Sequence, residues 1–126
     1  MWRRLSTALR GQVAEKHALA FLKKQGLTYR ARNYACAAGE IDLIMMDADV
    51  LVFVEVRLRS CLSHGGAVES VDLFKRRRLE KAAQHYLCCY NLMERTPCRF
   101  DILALRPSNS NRDVFVPEWI KDAFGA

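Results

Sequence analysis

Two apolar segments joined by a two-residue turn, residues 39–47 and 50–58, constrain the fold more than any other part of this sequence. So short a connection predicts two antiparallel strands in a hairpin, with Asp47 paired to Val50. That register decides which side chains share a face. One face is then wholly apolar, built from Ile41, Leu43, Met45, Val52, Val54 and Val56. The other face is apolar near the turn and charged at the far end, which is typical of a cleft rather than of a continuous buried strand.

The charged end of the hairpin holds four side chains whose pairing follows from the same register. Asp42 lies opposite Glu55, and Glu40 lies opposite Arg57. Opposed side chains in a hairpin have Cβ atoms roughly 4.5–5.5 Å apart, and like charges at that separation are destabilising. A divalent cation would compensate, because hard metals such as Mg²⁺ take oxygen ligands. The alternative is an ion-pair network around Glu40 and Arg57, which leaves Asp42 and Glu55 short of positive charge.

Two helices flank this hairpin in the predicted chain order. The first covers residues 6–25, where an apolar stripe keeps helical spacing and Gly26 follows the last turn. The second covers residues 73–91, with Asp72 as its N-cap.

Further strands are predicted at residues 29–35, 100–105 and 114–116, and one or two helical turns at residues 117–124. A crossover from the second hairpin strand through the second helix to residues 100–105 requires those two strands to run parallel. One helix can then cover each face of the sheet. The expected fold class is α/β, an α/β/α sandwich with a mixed central sheet.

Two further side chains are expected to point towards the charged end of the hairpin. Glu15 lies within about 20° of Leu22 on the wheel of the first helix, so it faces the sheet. Its alternative role is an interaction with the helix dipole. Lys75 lies four residues before Leu79 and continues the inward stripe of the second helix, although a lysine at a helix edge can also extend into solvent.

Composition bounds the class of protein. The 126 residues carry a net charge of +6 with a pI near 9.3, which predicts one domain over residues 1–126 and a polyanionic partner. Five cysteines without a Cys-x-x-Cys pair, no signal-peptide pattern and no apolar run of membrane-spanning length predict a cytoplasmic protein that does not enter a membrane. The basic residues form three clusters: Lys75 to Arg78 with Lys81; Arg57 with Arg59; and Arg3, Arg4 and Arg10. Clusters beside a candidate metal site favour nucleic acid as the partner.

The charged residues also carry a family resemblance. Glu15, Asp42 and Glu55-x-Arg57 resemble the PD-(D/E)xK pattern of restriction-endonuclease-like folds, in the form found in archaeal Holliday-junction resolvases. The chain more closely resembles the YraN-like family of bacterial predicted endonucleases. The strings Gly39-Glu-Ile-Asp-Leu-Ile44 and Val52-Phe-Val-Glu-Val-Arg57 carry this resemblance together, and weaker matches extend it over nearly the whole chain.

The resemblance implies metal-assisted phosphodiester hydrolysis. Asp42 and Glu55 would hold one or two Mg²⁺ or Mn²⁺ ions, with the carbonyl of Val56 as a further ligand and Glu15 completing the shell. The third signature position normally carries lysine, but here it is Arg57. Arginine can stabilise phosphate charge through its planar fork, but it does not accept protons.

Several basic residues are assigned supporting roles. Lys75 would contact a phosphate or supply the missing ammonium group. Lys75, Arg76, Arg78 and Arg59 are expected to bind DNA, with Arg76 pointing outward, and Glu40 is an accessory acidic residue.

Resemblance to the resolvases implies branched DNA as the substrate and a homodimer as the assembly. The rival hypothesis is a DNA- or RNA-binding or partner-docking module that retains the nuclease fold without its catalysis. A third is a purely structural ion-pair cluster, for which Asp42→Asn would destabilise the fold.

Four remaining polar residues are given no catalytic role. His17, His64 and His85 lack the spacing of metal ligands. Asp101 lies inside an apolar strand and is interpreted as a structural partner of Arg99 or Arg59.

Overall fold

The computed structural model describes residues 7–59, 66, 68–110 and 114–124, with side chains in the first helix described from Gly11 onward. Residues 60–65, with Cys61 and His64 among them, and residue 67 lie outside the described residues. The elements in chain order are α1 (Thr7–Lys24), β1 (Thr28–Cys36), β2 (Gly39–Asp47), β3 (Val50–Leu58), α2 (Leu73–Cys89), β4 (Cys98–Pro107) and β5 (Phe115–Ile120).

The five strands form one mixed sheet in the order β1-β2-β3-β4-β5. β3 and β4 are parallel, and the other neighbouring pairs are antiparallel. The predicted crossover through α2 is therefore confirmed. The predicted hairpin register is also confirmed, because β2 and β3 pair from Leu43–Val54 to Asp47–Val50.

One helix covers each face of the sheet, so the core has two parts. On the α1 face, Ala14, Ala18 and Leu22 pack against Leu43, Met45, Val52, Val54, Leu103 and Leu105. On the α2 face, Leu79, Ala82, Ala83, Tyr86 and Leu87 pack against Ile41, Ile44, Leu51, Phe53 and Phe100. The predicted α/β/α sandwich is confirmed and is consistent with a restriction-endonuclease-like fold.

Asp72 caps the N-terminus of α2 as predicted. It has an extended backbone, and its Oδ1 accepts the N–H of Lys75 at 2.8 Å. This bond satisfies one of the N–H groups that the first helical turn leaves without a partner. It also fixes the starting point of α2, and with it the position of Lys75.

The alternation of β2 breaks at Asp42, which the sequence pattern did not predict. Ile41 and Ile44 both belong to the core beneath α2, whereas Leu43 belongs to the core beneath α1. The predicted placement of Ile41 on the Leu43 face is therefore wrong. In the neighbouring strand Asn33 has a positive φ of 53°, a left-handed conformation that asparagine tolerates better than most residues. This local irregularity lies next to Asp42.

The predicted helical turns at 117–124 are wrong, because β5 continues through Ile120. Pro117 is compatible with this edge strand, where a missing N–H leaves no ladder bond unmade. Trp119 adds a side-chain anchor, since its indole Nε1 donates to Asp101 Oδ2 at 2.9 Å. Beyond the strand, the N–H of Asp122 donates to Asp101 Oδ1 at 2.9 Å and the chain turns back over the sheet.

Asp101 is a structural centre, as predicted. It is fully buried, and its Oδ1 and Oδ2 accept hydrogen bonds from Nε and Nη2 of Arg99 at 2.9 and 3.1 Å. Nη2 of Arg99 also lies 3.0 Å from Oδ2 of Asp47, and this ion pair joins β4 to the turn end of the hairpin. The four cysteines within the described residues form no disulfide with one another.

Candidate active site

The charged end of the hairpin opens into a pocket of about 250 Å³, here called the carboxylate pocket. Three elements enclose it: the start of β2, the end of β3 and the first turns of α2. Its lining residues are Gly39, Glu40, Asp42, Glu55, Lys75, Arg78 and Leu79. The structure therefore brings Asp42, Glu55, Lys75 and Arg78 together, as the sequence predicted for the first three.

Gly39 allows α2 to lie close to the start of β2. A Cβ at this position would meet both the Cβ and the carbonyl oxygen of Arg78 at 3.4 Å. On the same side, Arg78 Nε donates to the carbonyl of Ala38 at 3.3 Å. These contacts hold the helix against the rim of the carboxylate pocket.

Asp42 lies where the paired ladder between β2 and β3 stops. Among the described residues, the ladder ends at Leu43–Val54, one step before the predicted Asp42–Glu55 pair. The N–H of Val56 donates to Asp42 Oδ2 at 2.9 Å. A side chain thus replaces the ladder at this point, and the hydrogen bond holds the Asp42 carboxylate group at the wall of the carboxylate pocket.

Glu55 is the most buried carboxylate of the pocket, with 4% of its side chain exposed. Lys75 Nζ lies 2.7 Å from Glu55 Oε2, and Arg57 Nη1 lies 3.5 Å from the same oxygen. A buried carboxylate requires such partners, because an unpaired charge away from water is costly. The shorter contact belongs to Lys75, the residue that enters from the helix.

Arg57, at the position where the nuclease pattern has lysine, is directed towards Ser70. Its Nε donates to Ser70 Oγ and its Nη2 to the Ser70 carbonyl, both at 3.2 Å. No Glu40–Arg57 ion pair occurs among the described residues, so that predicted cross-strand pair is not formed. The guanidinium group of Arg57 instead ties the end of β3 to the segment that precedes α2.

Burial and the charge of Glu55 disfavour ionisation of Asp42. Burial is the largest cause that raises the pKa of Asp42, and the charge of Glu55 is the next; together they bring it from 3.8 to about 8. The hydrogen bond from Val56 opposes this shift because it stabilises the ionised form. A proton on Asp42, or a cation beside it, would relieve the unfavourable interaction with Glu55.

Glu15 lies close enough for its charge to contribute to the raised pKa of Asp42, but it does not line the carboxylate pocket. Burial is the main cause that raises the pKa of Glu15, and the charge of Glu40 adds to it. A hydrogen bond with Asn33 and the charge of Arg32 act in the opposite direction. Glu15 is thus bonded to the irregular residue of β1, and it faces the sheet as predicted.

The donor set fits a divalent cation with two protein carboxylates. Within the described residues, no three His, Cys, Asp or Glu side chains are close enough to hold a metal by themselves, so the predicted trio with Glu15 is not formed. Asp42 and Glu55 can still serve as a pair, because Mg²⁺ is commonly bound through one or two carboxylates and keeps several waters. The carbonyl of Val56 as a further ligand stays a prediction.

The basic residues predicted to contact DNA differ in their surroundings. Lys75 and Arg78 line the carboxylate pocket. Arg76 is half-buried rather than outward: its Nε donates to the carbonyl of Val71 at 3.0 Å, and its guanidinium lies 5.1 Å from the ring centre of Phe124. The backbone of Arg59 continues the sheet by donating to Leu105 at 2.8 Å.

Sequence reasoning did not single out Asn33 or Ser70 as site residues. Asn33 had a usable signal, because asparagine is enriched in left-handed backbone conformations and often marks a break in a strand. Ser70 had none, since its role depends on where the segment before α2 folds back against Arg57.

The two described histidines lie away from the carboxylate pocket. His85 Nδ1 is hydrogen-bonded to the hydroxyl of Tyr34 at 2.5 Å, and His17 packs edge-on against Phe115. In the part of the chain that the structure describes, no helix is both long and apolar enough to cross a membrane.

Comparison with known proteins identifies the family. The family model described as "Uncharacterised protein family UPF0102" matches residues 14–105. A UPF0102 protein of Alcanivorax borkumensis is 46% identical over 114 residues, covering 90% of each chain. Another, from Cupriavidus metallidurans, is 48% identical over 120 residues, which cover 94% of this chain and 83% of the relative. A third, from Stutzerimonas stutzeri, is 44% identical and covers 90% of this chain and 92% of its own length. The YraN-like resemblance is thereby confirmed, and the chain belongs to the UPF0102 family.

Proposed function

We propose that this protein is a metal-dependent endonuclease that hydrolyses phosphodiester bonds in DNA, with branched DNA as the preferred substrate. The observation that carries this proposal is the pairing of Asp42 with Glu55 in one pocket, with the Lys75 ammonium 2.7 Å from Glu55. Two carboxylates and a lysine in a basic protein match what phosphodiester hydrolysis requires. The preference for branched DNA rests on the resemblance to resolvases.

Asp42 and Glu55 are the residues that would hold Mg²⁺ or Mn²⁺. When bound, such an ion polarises the phosphoryl oxygen and lowers the pKa of an attacking water. The hydrogen bond from Val56 positions Asp42 for this role, because it fixes one carboxylate oxygen and leaves the other to the pocket.

Lys75 would supply the ammonium group that the nuclease pattern normally takes from the third signature position. It lies in the first turn of α2 and is 42% exposed, so it can reach both Glu55 and a phosphate entering from solvent. Arg57 is held by Ser70 and would act as a positioning residue for the end of β3. Arg78 borders the same pocket and would bind a neighbouring phosphate.

The test is cleavage of labelled four-way-junction, flap, single-stranded and duplex DNA with Mg²⁺, with Mn²⁺ or with EDTA. Asp42→Asn removes the charge and keeps an oxygen acceptor for the Val56 N–H. Asp49→Asn is the matched control, because it makes the same change at the exposed turn of the same hairpin. We expect metal-dependent nicking by the wild type and by Asp49→Asn, and none by Asp42→Asn.

Two outcomes would contradict the nuclease proposal. Cleavage that persists unchanged in Asp42→Asn would show that the activity does not arise in this pocket. DNA binding without cleavage under every metal condition would favour the non-catalytic binding module instead.

A further inference from the structure

A second pocket lies at the other end of α2. It has a volume of about 360 Å³ and is here called the tyrosine pocket. Residues of β1, the turn end of the hairpin and the C-terminal end of α2 enclose it. The residues that matter for its chemistry are Arg30, Met46, Tyr86, Tyr90 and Thr96. The carboxylate pocket shares none of them.

The tyrosine pocket presents an aromatic surface that is held from behind. Tyr90 is 60% exposed, and its ring lies on that of Tyr86 with centroids 4.6 Å apart and planes tilted by 33°. Tyr86 is 6% exposed and makes edge-on contacts with Phe53 and Tyr34 at 6.1 and 5.2 Å. Tyr86 is thus anchored in the core, and it supports the largely exposed ring of Tyr90.

The polar groups around this surface favour an aromatic ligand that carries negative charge. Arg30 supplies a guanidinium group and Thr96 a hydroxyl, and among the described lining residues none is acidic. A nucleobase matches this combination, because every base has a face that can stack and its strand brings phosphates. Arg30 would bind such a phosphate, in agreement with the net charge of +6.

Helix α2 connects the two pockets. Lys75 enters the carboxylate pocket from its first turn, and Tyr90 follows its last turn. At about 1.5 Å per residue this separation is roughly 22 Å. A single strand could span it with about six nucleotides at the duplex rise of about 3.4 Å, and with fewer when extended. Between the two ends, His85 of α2 is hydrogen-bonded to Tyr34 of β1.

We propose that the tyrosine pocket binds an unpaired nucleobase by stacking on Tyr90, in the same nucleic-acid strand whose phosphate enters the carboxylate pocket. This inference rests on the proposed function. It adds a requirement that the nuclease hypothesis alone does not make: unpaired bases several nucleotides from the cleaved bond contribute to binding. Substrates with single-stranded segments would therefore be preferred over continuous duplexes.

The experiment compares two single-stranded oligonucleotides of equal length and charge, one carrying bases and the other abasic. Binding is measured by fluorescence anisotropy in EDTA, so that no cleavage occurs. The variants are Tyr90→Leu, which removes the ring but keeps an apolar side chain, and Tyr90→Trp, which keeps a stacking surface. Tyr29→Leu is the matched control, because Tyr29 is 40% exposed and lies under Lys23 on the α1 side.

We expect wild type, Tyr90→Trp and Tyr29→Leu to bind the base-bearing strand more tightly than the abasic strand. Tyr90→Leu should lose about tenfold in affinity for the base-bearing strand, within the range for loss of one stacked base, and nothing for the abasic strand. A merely structural role of Tyr90 would instead weaken binding of both strands together.

The failures of the two proposals are distinguishable. If the wild type binds the oligonucleotide and Tyr90→Leu keeps the full preference for bases, the tyrosine pocket is overturned while the nuclease proposal stands. If the wild type binds neither strand in EDTA, the tyrosine-pocket proposal is overturned, and the cleavage assay with Mg²⁺ and Mn²⁺ decides the nuclease proposal separately.

Discussion

Asp42→Asn should stabilise the metal-free protein at neutral pH, although it removes a residue that the proposed function requires. The pKa of Asp42 is raised from 3.8 to about 8, mainly by burial and then by the charge of Glu55. One pKa unit corresponds to about 1.4 kcal/mol, so full ionisation of Asp42 costs at most about 6 kcal/mol relative to the unfolded chain. Asparagine avoids this cost and can still accept the N–H of Val56. Its amide N–H₂ then lies in a partly buried position, which costs about 1–3 kcal/mol.

The expected net effect is an increase of about 3 kcal/mol in the free energy of unfolding at pH 8 in EDTA. Its sign depends on pH, because Asp42 has a folded pKa above its unfolded one. Below about pH 4 the group is protonated in both states and its contribution is fully present. Between about pH 4 and pH 8 the unfolded chain releases the proton first, so the wild type loses stability as pH rises. The Asp42→Asn variant should not show this loss of stability between about pH 4 and pH 8, because asparagine does not titrate.

The assay is guanidinium unfolding of wild type, Asp42→Asn and Asp49→Asn at pH 5 and pH 8, each in EDTA and in Mg²⁺. Asp49→Asn should follow the wild type under all conditions. Mg²⁺ should stabilise the wild type and leave Asp42→Asn unchanged, since a ligand stabilises only a folded state that binds it. If Asp42→Asn is instead less stable than wild type in EDTA at pH 8, Asp42 belongs to a structural ion-pair cluster and the reasoning is refuted.

Three further substitutions test the carboxylate pocket and the anchoring of β5. Lys75→Met should destabilise by about 1–2 kcal/mol in chemical denaturation, because the buried Glu55 loses its nearest cation, whereas Lys75→Arg should recover most of this; equal loss in both would show that charge is not the cause. Arg57→Lys should not raise the rate of metal-dependent cleavage, because Lys75 already places an ammonium group at Glu55; a clear rate increase would show that the signature position limits the chemistry. Trp119→Phe should cost about 1–2 kcal/mol in thermal or chemical unfolding, because Asp101 loses an N–H donor in a fully buried position; an unchanged midpoint would remove Trp119 from the group that holds β5.

The hairpin was predictable because its information is local. A two-residue turn sets the register, and the period of two then assigns a face to each side chain. The ladder from Leu43–Val54 to Asp47–Val50 follows that prediction. The assignment of Ile41 to the same face as Leu43 was wrong, because the alternation of side chains in β2 is interrupted at Asp42. A strict period of two cannot predict this interruption, which lies beside the left-handed Asn33 of the neighbouring strand.

The C-terminal part was predicted less well, since its conformation depends on distant residues. Residues 117–120 have the composition of a helical turn but form an edge strand. Trp119 and Asp122 both donate to Asp101, which lies in another strand. Hydrogen bonds to a distant strand override the weak local preference for a helical turn, and the sequence of the segment does not predict them.

The sequence by itself determined the three-layer α/β/α arrangement, the hairpin register and the meeting of Asp42 with Glu55 at one end of the sheet. These follow from periodicity and from chain order, which need no knowledge of distant contacts. Only the tertiary structure decided that Lys75 rather than Arg57 makes the shorter contact with Glu55, and that Arg57 is held by Ser70 instead. The physical reason is that a long cation on a strand and another on a helix compete for one buried carboxylate. The packing of α2 on the sheet determines which of them lies closer to it.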